Sequence, residues 1–126
     1  MVSVYKKRVS FHETDCMGVV HHSSYIKYFE DARVNFLHLK NLANLHSPNA
    51  DFVLAVTRVE VDYLKPLTLQ QEFEVLIEVE HKGRLGYIFN YEIRSDENLY
   101  VTGKTQHVGL NSSLKVVKPP IGFNLI

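Results

Sequence analysis

An acidic residue, a glycine and a histidine stand close together near the start of the chain, in a spacing that suits acyl transfer. Asp15 lies three residues before Gly18, and His22 follows where a segment with helical periodicity is about to begin. A helix N-terminus presents unpaired backbone N–H groups and about half a positive charge, which suits a carbonyl oxygen that becomes negative. A carboxylate held opposite that oxygen supplies the nucleophile or the base, and a glycine permits close approach. These three residues are the minimum set for acyl transfer.

The residues that follow this motif predict one long helix. From Ser23 to about Asn41, apolar residues step by four and three, which is the spacing of one helix face. Ser23 or Ser24 can cap its start. The stripe consists of Tyr25, Phe29, Ala32, Phe36 and Leu39, and it is widened by Ile26, Tyr28, Val34 and Leu37. We therefore expect the helix to be buried on most sides.

The rest of the chain predicts strands. A short strand covers residues 4–11, and alternating apolar and polar residues predict four more at residues 53–63, 73–79, 85–93 and 99–110. The turns between the later strands are short, which predicts an antiparallel sheet. One mostly apolar helix and one sheet predict an α+β architecture in which the sheet curls around the helix. The alternation alone also permits other α+β sheets.

Composition narrows the class of protein. The 126 residues fit one domain, residues 1–126, and the fourteen basic and fourteen acidic residues cancel. A broad nucleic-acid or membrane-surface binder would carry a basic excess. The single cysteine, Cys16, excludes an internal disulfide and a cysteine-based zinc site, and it fits a reducing compartment. Neither a membrane span nor a signal peptide is visible, so we expect a cytoplasmic protein.

The motif as a whole is long and specific. It reads Thr-Asp-x-x-Gly-Val-Val-x-His-x-x-Tyr over residues 14–25, and Tyr28-Phe29-Glu30-Asp31-Ala32-Arg33 follows. This run resembles the 4-hydroxybenzoyl-CoA thioesterase family and is closest to its Tol-Pal-associated acyl-CoA thioesterase branch. The resemblance covers nearly the whole chain, including the segment at residues 61–66. It implies the hotdog fold, hydrolysis of acyl-CoA thioesters without a metal or other cofactor, and homodimers that often pair into tetramers.

The resemblance also implies roles for single residues. The family's catalytic aspartate falls on Asp15. Its oxyanion donor, a backbone N–H at the helix start, falls on His22, whose side chain has a proposed role in the closest branch. The candidate substrate contacts are Gly18, Val19, Tyr25 and Tyr63, and the basic residues of the middle hairpin, Lys82 and Arg84, are the candidate contacts of the CoA phosphates. Because a pocket within one chain would be shallow, we expect the site to lie where two subunits meet.

The histidines and the cysteine near the start of the chain raise two alternatives, a metal site and a cysteine nucleophile. The three histidines His12, His21 and His22 match no zinc signature, and the HExxH pattern is absent. Cys16 stands beside Asp15 and would permit a Cys–His hydrolase, but a small cysteine in a loop is more often structural. We therefore expect neither a metal site nor a cysteine nucleophile.

Two other functions use the same fold. A hotdog dehydratase pairs a histidine with an acid on the central helix, where Glu30 and Asp31 stand, and it produces an enoyl thioester instead of a free thiol. A non-catalytic module binds acyl-CoA without turnover. Asp15 stands before the helix and favours hydrolysis. Aliphatic, hydroxybenzoyl and dihydroxynaphthoyl thioesters all remain open as substrates, and His21 and His22 in place of two aromatic residues favour aliphatic or small polar acyl groups.

Overall fold

The described part of the chain forms one long helix and five strands. The computed structural model describes residues 3–42, 51–120, 123 and 125. In chain order the elements are β1 (Ser3–Arg8), a 3₁₀ turn (Phe11–Glu13), α1 (His22–Leu39), β2 (Val53–Tyr63), β3 (Glu72–Lys82), β4 (Gly86–Ser95) and β5 (Asn98–Leu110). All strand pairs are antiparallel, and the spatial order β1-β3-β4-β5-β2 leaves β1 and β2 at the two edges of the sheet.

The helix packs against one face of the sheet with its apolar side. Six helix residues are at most 3% exposed: Tyr25, Tyr28, Phe29, Ala32, Phe36 and Leu37. They meet the buried residues that alternate along β3, β4 and β5: Phe73, Val75, Ile77, Tyr87, Phe89, Tyr91, Ile93 and Val101. This is the predicted hotdog arrangement, a long helix against a curved antiparallel sheet. In the described ranges, no helix is long and apolar enough to cross a membrane.

The helix is less buried than its sequence predicts. Leu39 is 65% exposed, and Ile26 and Val34 are 41% and 38% exposed. Leu39 is the last helical residue, and Asn41, with a φ of 61°, turns the chain away directly after it. Ile26 and Val34 lie on the side of α1 that faces away from the sheet. The predictions that Leu39 belongs to the buried stripe and that most sides of the helix are buried are therefore wrong for the single chain.

The first strand is shorter than predicted. β1 ends at Arg8 instead of Phe11, because residues 11–13 form the 3₁₀ turn. In that turn the Glu13 N–H donates to the Ser10 carbonyl at 3.0 Å, and Glu13 Oε1 accepts from the Ser10 N–H at 2.8 Å. Phe11 is consequently turned outward and is 79% exposed. The bounds of the other four strands agree with the prediction to within three residues.

Close approach between the helix and β5 depends on a glycine. A Cβ placed on Gly103 would lie 2.3 Å from the Phe29 ring, well inside van der Waals contact. The same ring stacks on Tyr91 of β4, with centroids 4.4 Å apart and an interplanar angle of 15°. Phe29 is completely buried as a result. Gly103 therefore sets how deeply the middle of α1 can sit on the sheet.

A chain of polar groups crosses the core beneath α1. Arg33 Nη1 donates to the Tyr91 hydroxyl at 3.0 Å, and this hydroxyl lies 2.7 Å from Thr105 Oγ1. Thr105 Oγ1 lies 2.7 Å from His107 Nε2, and the His107 side chain is 1% exposed. Burial, together with the positive charge of Arg33, lowers the pKa of His107 to about 3. His107 is therefore neutral at neutral pH and belongs to the core.

We expect Gly103→Ala to lower the free energy of unfolding by about 1–3 kcal/mol, because the new methyl group overlaps the Phe29 ring in a packed core. The neighbouring Thr102→Ala is the matched control, since Thr102 is partly exposed and lies on the other face of the sheet. Urea unfolding of both variants measures the difference. An unchanged midpoint for Gly103→Ala would contradict the packing described above.

Candidate active site

Asp15 lies in a tight turn between the 3₁₀ turn and α1. The turn is closed by the Asp15 N–H, which donates to the Val19 carbonyl at 2.8 Å, and by the Gly18 N–H, which donates to the Asp15 carbonyl at 3.1 Å. The Met17 N–H holds Asp15 Oδ1 at 2.8 Å. The other carboxylate oxygen, Oδ2, accepts no hydrogen bond from any residue that the structure describes. The turn thus holds the carboxylate through Oδ1 alone.

The N-terminus of α1 is capped by a histidine. His21 Nδ1 accepts from the Ser23 N–H at 3.2 Å, and the His21 carbonyl accepts from the Ser24 N–H at 2.9 Å. The predicted cap at Ser23 or Ser24 is therefore wrong, because the helix begins earlier, at His22, and His21 is the extended residue before it. The His22 N–H has no acceptor in the described part of the chain. It is the N–H group that the sequence predicts as oxyanion donor.

Asp15 and His22 face one cleft. The cleft has a volume of about 310 Å³ and is lined by Asp15, Val20, His22, Tyr25, Tyr63, Leu64, Lys65 and Pro66. Of the four predicted substrate contacts, Tyr25 and Tyr63 line it. Gly18 and Val19 lie in the adjoining turn and do not line the cleft, whereas Val20 does. The predicted base, oxyanion donor and two of the predicted substrate contacts are thus brought together.

Two tyrosines join the cleft walls. The Tyr63 hydroxyl donates to the His22 carbonyl at 3.1 Å, and the Tyr25 hydroxyl accepts from the Leu67 N–H at 3.2 Å. Their rings meet edge to face with centroids 5.3 Å apart. Because β2 ends at Tyr63, these bonds hold the loop after β2 against the first turn of α1. Burial, offset in part by the bond from Leu67, raises the pKa of Tyr25, so this hydroxyl stays protonated at neutral pH.

The predicted CoA contacts Lys82 and Arg84 lie at the other end of the sheet. Val101 of β5 pairs with Tyr63 at the cleft end, and Val108 pairs with Gly86 at the hairpin end. The seven residue steps from Val101 to Val108 span about 23 Å of strand. Lys82 and Arg84 line a groove of about 600 Å³ there, and Lys82 Nζ donates to Gln106 Oε1. Within one chain this groove is separate from the cleft.

The other candidate groups fall outside the cleft. Glu30 and Asp31 are exposed on α1 and do not line it. The Cys16 thiol is exposed and free. The rings of His21 and His22 contact each other with centroids 4.1 Å apart and are tilted by 32°. Over the ranges that the structure describes, no three side chains of His, Cys, Asp or Glu come together as metal ligands, and catalysis without a metal stays a prediction.

Sequence reasoning missed the residue that anchors the Asp15 turn. Glu13 lies between β1 and α1 and accepts hydrogen bonds from the Ser10 N–H and from the Tyr28 hydroxyl. A glutamate three residues after a serine is the spacing of a capping box, and this pattern could have drawn attention to Glu13. Its contact with Tyr28 joins residues fifteen positions apart, which no local pattern reports.

The turn at Gly18 has a conformation that favours glycine. Its φ is +78°, and a Cβ placed there would meet no atom within 4 Å. We expect Gly18→Ala to lower the free energy of unfolding by about 1–2 kcal/mol from backbone conformation alone. Gly18→Asn is the control, because asparagine tolerates this region better although it is larger. Thermal and urea unfolding compare the two, and a greater loss for Asn than for Ala would show that space is what the turn requires.

Known proteins share this fold and are similar in sequence. The crystal structure of a hypothetical protein from Aquifex aeolicus superposes with a TM-score of 0.87 at 31% identity, over 94% of this chain and 93% of that one. A structure named DHNA-CoA thioesterase from Staphylococcus aureus gives a TM-score of 0.85 at 26% identity, over 93% and 80% of the two chains. A Helicobacter pylori protein named acyl-CoA thioesterase YbgC is 29% identical over 91 residues, which are 72% of this chain and 66% of that protein.

The family profile gives the assignment. Residues 9–121 match the profile described as the thioesterase-like superfamily. The matched range includes the Asp15 turn, α1 and all of β2 to β5. The chain belongs to the thioesterase-like superfamily.

Proposed function

We propose that the protein hydrolyses acyl-CoA thioesters to a free acid and CoA. One observation carries this proposal: Asp15, whose carboxylate keeps one oxygen without a hydrogen bond from the described residues, and His22, whose backbone N–H has no acceptor among them, line the same cleft. The relatives named acyl-CoA thioesterase and DHNA-CoA thioesterase support the class of substrate. The position of Glu30 and Asp31 outside the cleft disfavours the dehydratase.

The reaction follows from these two groups. With the thioester carbonyl oxygen at the His22 N–H, the helix N-terminus stabilises the negative charge that develops there, and such a donor contributes about 3 kcal/mol. Asp15 either attacks the carbonyl carbon, forming an anhydride that water then hydrolyses, or takes a proton from the water that attacks. In both routes the C–S bond breaks and the CoA thiolate takes up a proton. As proposed, the reaction uses no metal or other cofactor.

The remaining cleft residues have positioning roles in this proposal. The His22 side chain is exposed and lines the cleft, so it can orient the attacking water or polarise the thioester. Tyr25 and Tyr63 contact the acyl group, and the backbone of Gly18 and Val19 borders it. The polar His21–His22 pair favours aliphatic or small polar acyl groups over large aromatic ones.

We further propose a homodimer, or a pair of such dimers, in which two copies of β2 meet. β2 is an edge strand of eleven residues. It exposes apolar side chains, with Val56 47% and Val59 39% exposed. The other edge, β1, has six residues and carries Lys6, Lys7 and Arg8, and short, charged edges resist strand pairing. β2 is therefore the edge that suits a partner.

This dimer would bring the two separate halves of the site together. Antiparallel pairing about a twofold axis places the Tyr63 end of one β2 beside the Val53 end of the other. Val53 pairs with Leu110 at the same end of the sheet as Gly86 and the Lys82–Arg84 hairpin. The cationic groove of one copy then lies on the side of the cleft of the other, where it can contact the CoA phosphates.

The branch and the cell compartment are proposals as well. The Asp15–Tyr25 motif resembles the Tol-Pal-associated branch of the 4-hydroxybenzoyl-CoA thioesterase family, and the likeness to a protein named acyl-CoA thioesterase supports that branch. The free, exposed thiol of Cys16 suits a reducing compartment such as the cytoplasm.

Asp15→Asn tests the reaction. The amide oxygen can still accept from the Met17 N–H, so we expect an unchanged melting temperature, while loss of the base lowers kcat at least about 100-fold. Thiol release is followed with a thiol-reactive dye over aliphatic, hydroxybenzoyl and dihydroxynaphthoyl CoA thioesters. Asp31→Asn is the matched control and should stay near wild type. Full activity in Asp15→Asn, or an enoyl product without thiol release, would contradict the proposal.

Val59→Arg tests the dimer. Val59 lies near the middle of β2, so antiparallel pairing brings the two new arginines close together and they repel each other. We therefore expect the mass in solution to fall to that of one 14.6 kDa chain and thiol release to fall with it. Val4→Arg is the matched control, because Val4 is 44% exposed on the β1 edge. It should leave mass and activity unchanged. Light scattering after size exclusion measures the mass, and a wild-type monomer with full turnover would contradict the dimer.

A further inference from the structure

The carboxylate of Glu13 joins three elements at the base of the Asp15 turn. Glu13 Oε1 accepts from the Ser10 N–H at 2.8 Å and from the Tyr28 hydroxyl at 2.9 Å, and Oε2 lies 3.3 Å from Lys7 Nζ. Ser10 lies in the segment that follows β1, Tyr28 lies on α1, and Lys7 lies on β1. The Glu13 side chain is 12% exposed and does not line the cleft. It therefore cannot contact the substrate that we propose.

The backbone of Glu13 joins the same turn to the helix start. Its carbonyl accepts from the His21 N–H at 2.8 Å and from Ser24 Oγ at 3.2 Å. His21 directly precedes the oxyanion donor His22, and Asp15 stands two residues after Glu13. Both reacting groups are thus tied to one residue through very short lengths of chain.

The charge of Glu13 strengthens this anchor. Burial alone would raise the pKa of its carboxyl, but the bonds from Ser10 and Tyr28 and the positive charge of Lys7 outweigh burial and hold this pKa below its usual range. Burial first, and then the bond to Glu13, raises the pKa of Tyr28, so its hydroxyl remains a donor. Burial raises the pKa of Asp31 on α1, and the positive charge of Lys7 offsets part of this rise. Hydrogen bonds to an ionised carboxylate are about twice as strong as neutral ones.

We propose that Glu13 is a positioning residue of the thioesterase reaction, and that its carboxylate, held by Lys7 and Tyr28, sets the separation between the Asp15 carboxylate and the His22 N–H. This inference rests on the proposed function, since it assigns the two groups that Glu13 positions. A misplacement of about 1 Å between reacting groups can slow a reaction about 100-fold. The anchor at Glu13 therefore acts on turnover without touching the substrate.

Two variants of Glu13 and one of its partner separate positioning from stability. Glu13→Gln keeps the length of the side chain and its acceptor for Ser10 and Tyr28 but removes the charge that Lys7 faces, and Glu13→Ala removes both. We expect kcat to fall about 10-fold for Gln and about 100-fold for Ala, with KM for the acyl-CoA little changed. Tyr28→Phe, which removes one donor, should resemble Gln. A purely structural role would lower the melting temperature and leave kcat per folded enzyme unchanged.

A double variant gives the sharpest readout. The separation between the Asp15 carboxylate and the His22 N–H affects the rate only while the carboxylate is present. Glu13→Ala should therefore slow the Asp15→Asn enzyme much less than it slows the wild-type enzyme. Glu72→Gln is the matched control, because it removes the other β1 ion pair, Arg8–Glu72, on the exposed face of the sheet. Its kcat should equal that of wild type. All rates are measured below the melting temperature of each variant.

The outcomes separate this inference from the proposed function. If wild type and Asp15→Asn release thiol equally, the proposed function fails. If Asp15→Asn is inactive while Glu13→Gln and Tyr28→Phe have wild-type kcat, only the positioning role is overturned. Equal slowing by Glu13→Ala in both backgrounds would also overturn it. If Glu13→Ala does not fold, Glu13→Gln and Tyr28→Phe decide the question by themselves.

Discussion

The contact between Phe29 and Gly103 determines where the helix lies on the sheet. Phe29 is completely buried, and it fits because β5 carries no Cβ at Gly103 and because the neighbouring Tyr91 ring stacks on it. A close-packed interior leaves little room for α1 to slide or to lift away. The first turn of the helix, seven residues before Phe29, is therefore fixed in space by a contact in the middle of the core.

A helix start fixed in this way can hold an N–H group without an acceptor. The first turn of any helix leaves N–H groups unbonded, and proteins normally cap them. Here His21 caps the N–H groups of Ser23 and Ser24, whereas the His22 N–H has no acceptor in the described part of the chain, and His22 lines the cleft. The Tyr63 hydroxyl holds the His22 carbonyl on the other side of the same residue. The peptide at the helix start is thus held by its surroundings before any ligand arrives, which is the arrangement that stabilises developing charge.

The sequence predicted those features that depend on the local spacing of apolar residues, and it did not predict those that depend on contacts between distant residues. The helix and four of the strands followed from spacing alone, whereas the roles of Asp15 and His22, which line one cleft, stay predictions. The exposure of Leu39 and the cap at His21 depend on where the helix begins and ends, which periodicity leaves open by a residue or two. The bonds of Glu13 to Lys7 and Tyr28 join elements that only the folded sheet brings together.

The separation of Lys82 from Asp15 also depends on the folded sheet, and it is the reason why the proposed dimer matters for the site. A hairpin between β3 and β4 must lie at one end of the sheet, whereas β2 ends at the other beside α1. No rearrangement within one chain can exchange the two ends, because all strand pairs have a fixed antiparallel register. A twofold axis at the free edge of β2, perpendicular to the strand, does bring opposite ends of two copies together. It does so at two places in each dimer. In the proposed assembly, the topology that divides the site within a chain thereby completes two sites between chains.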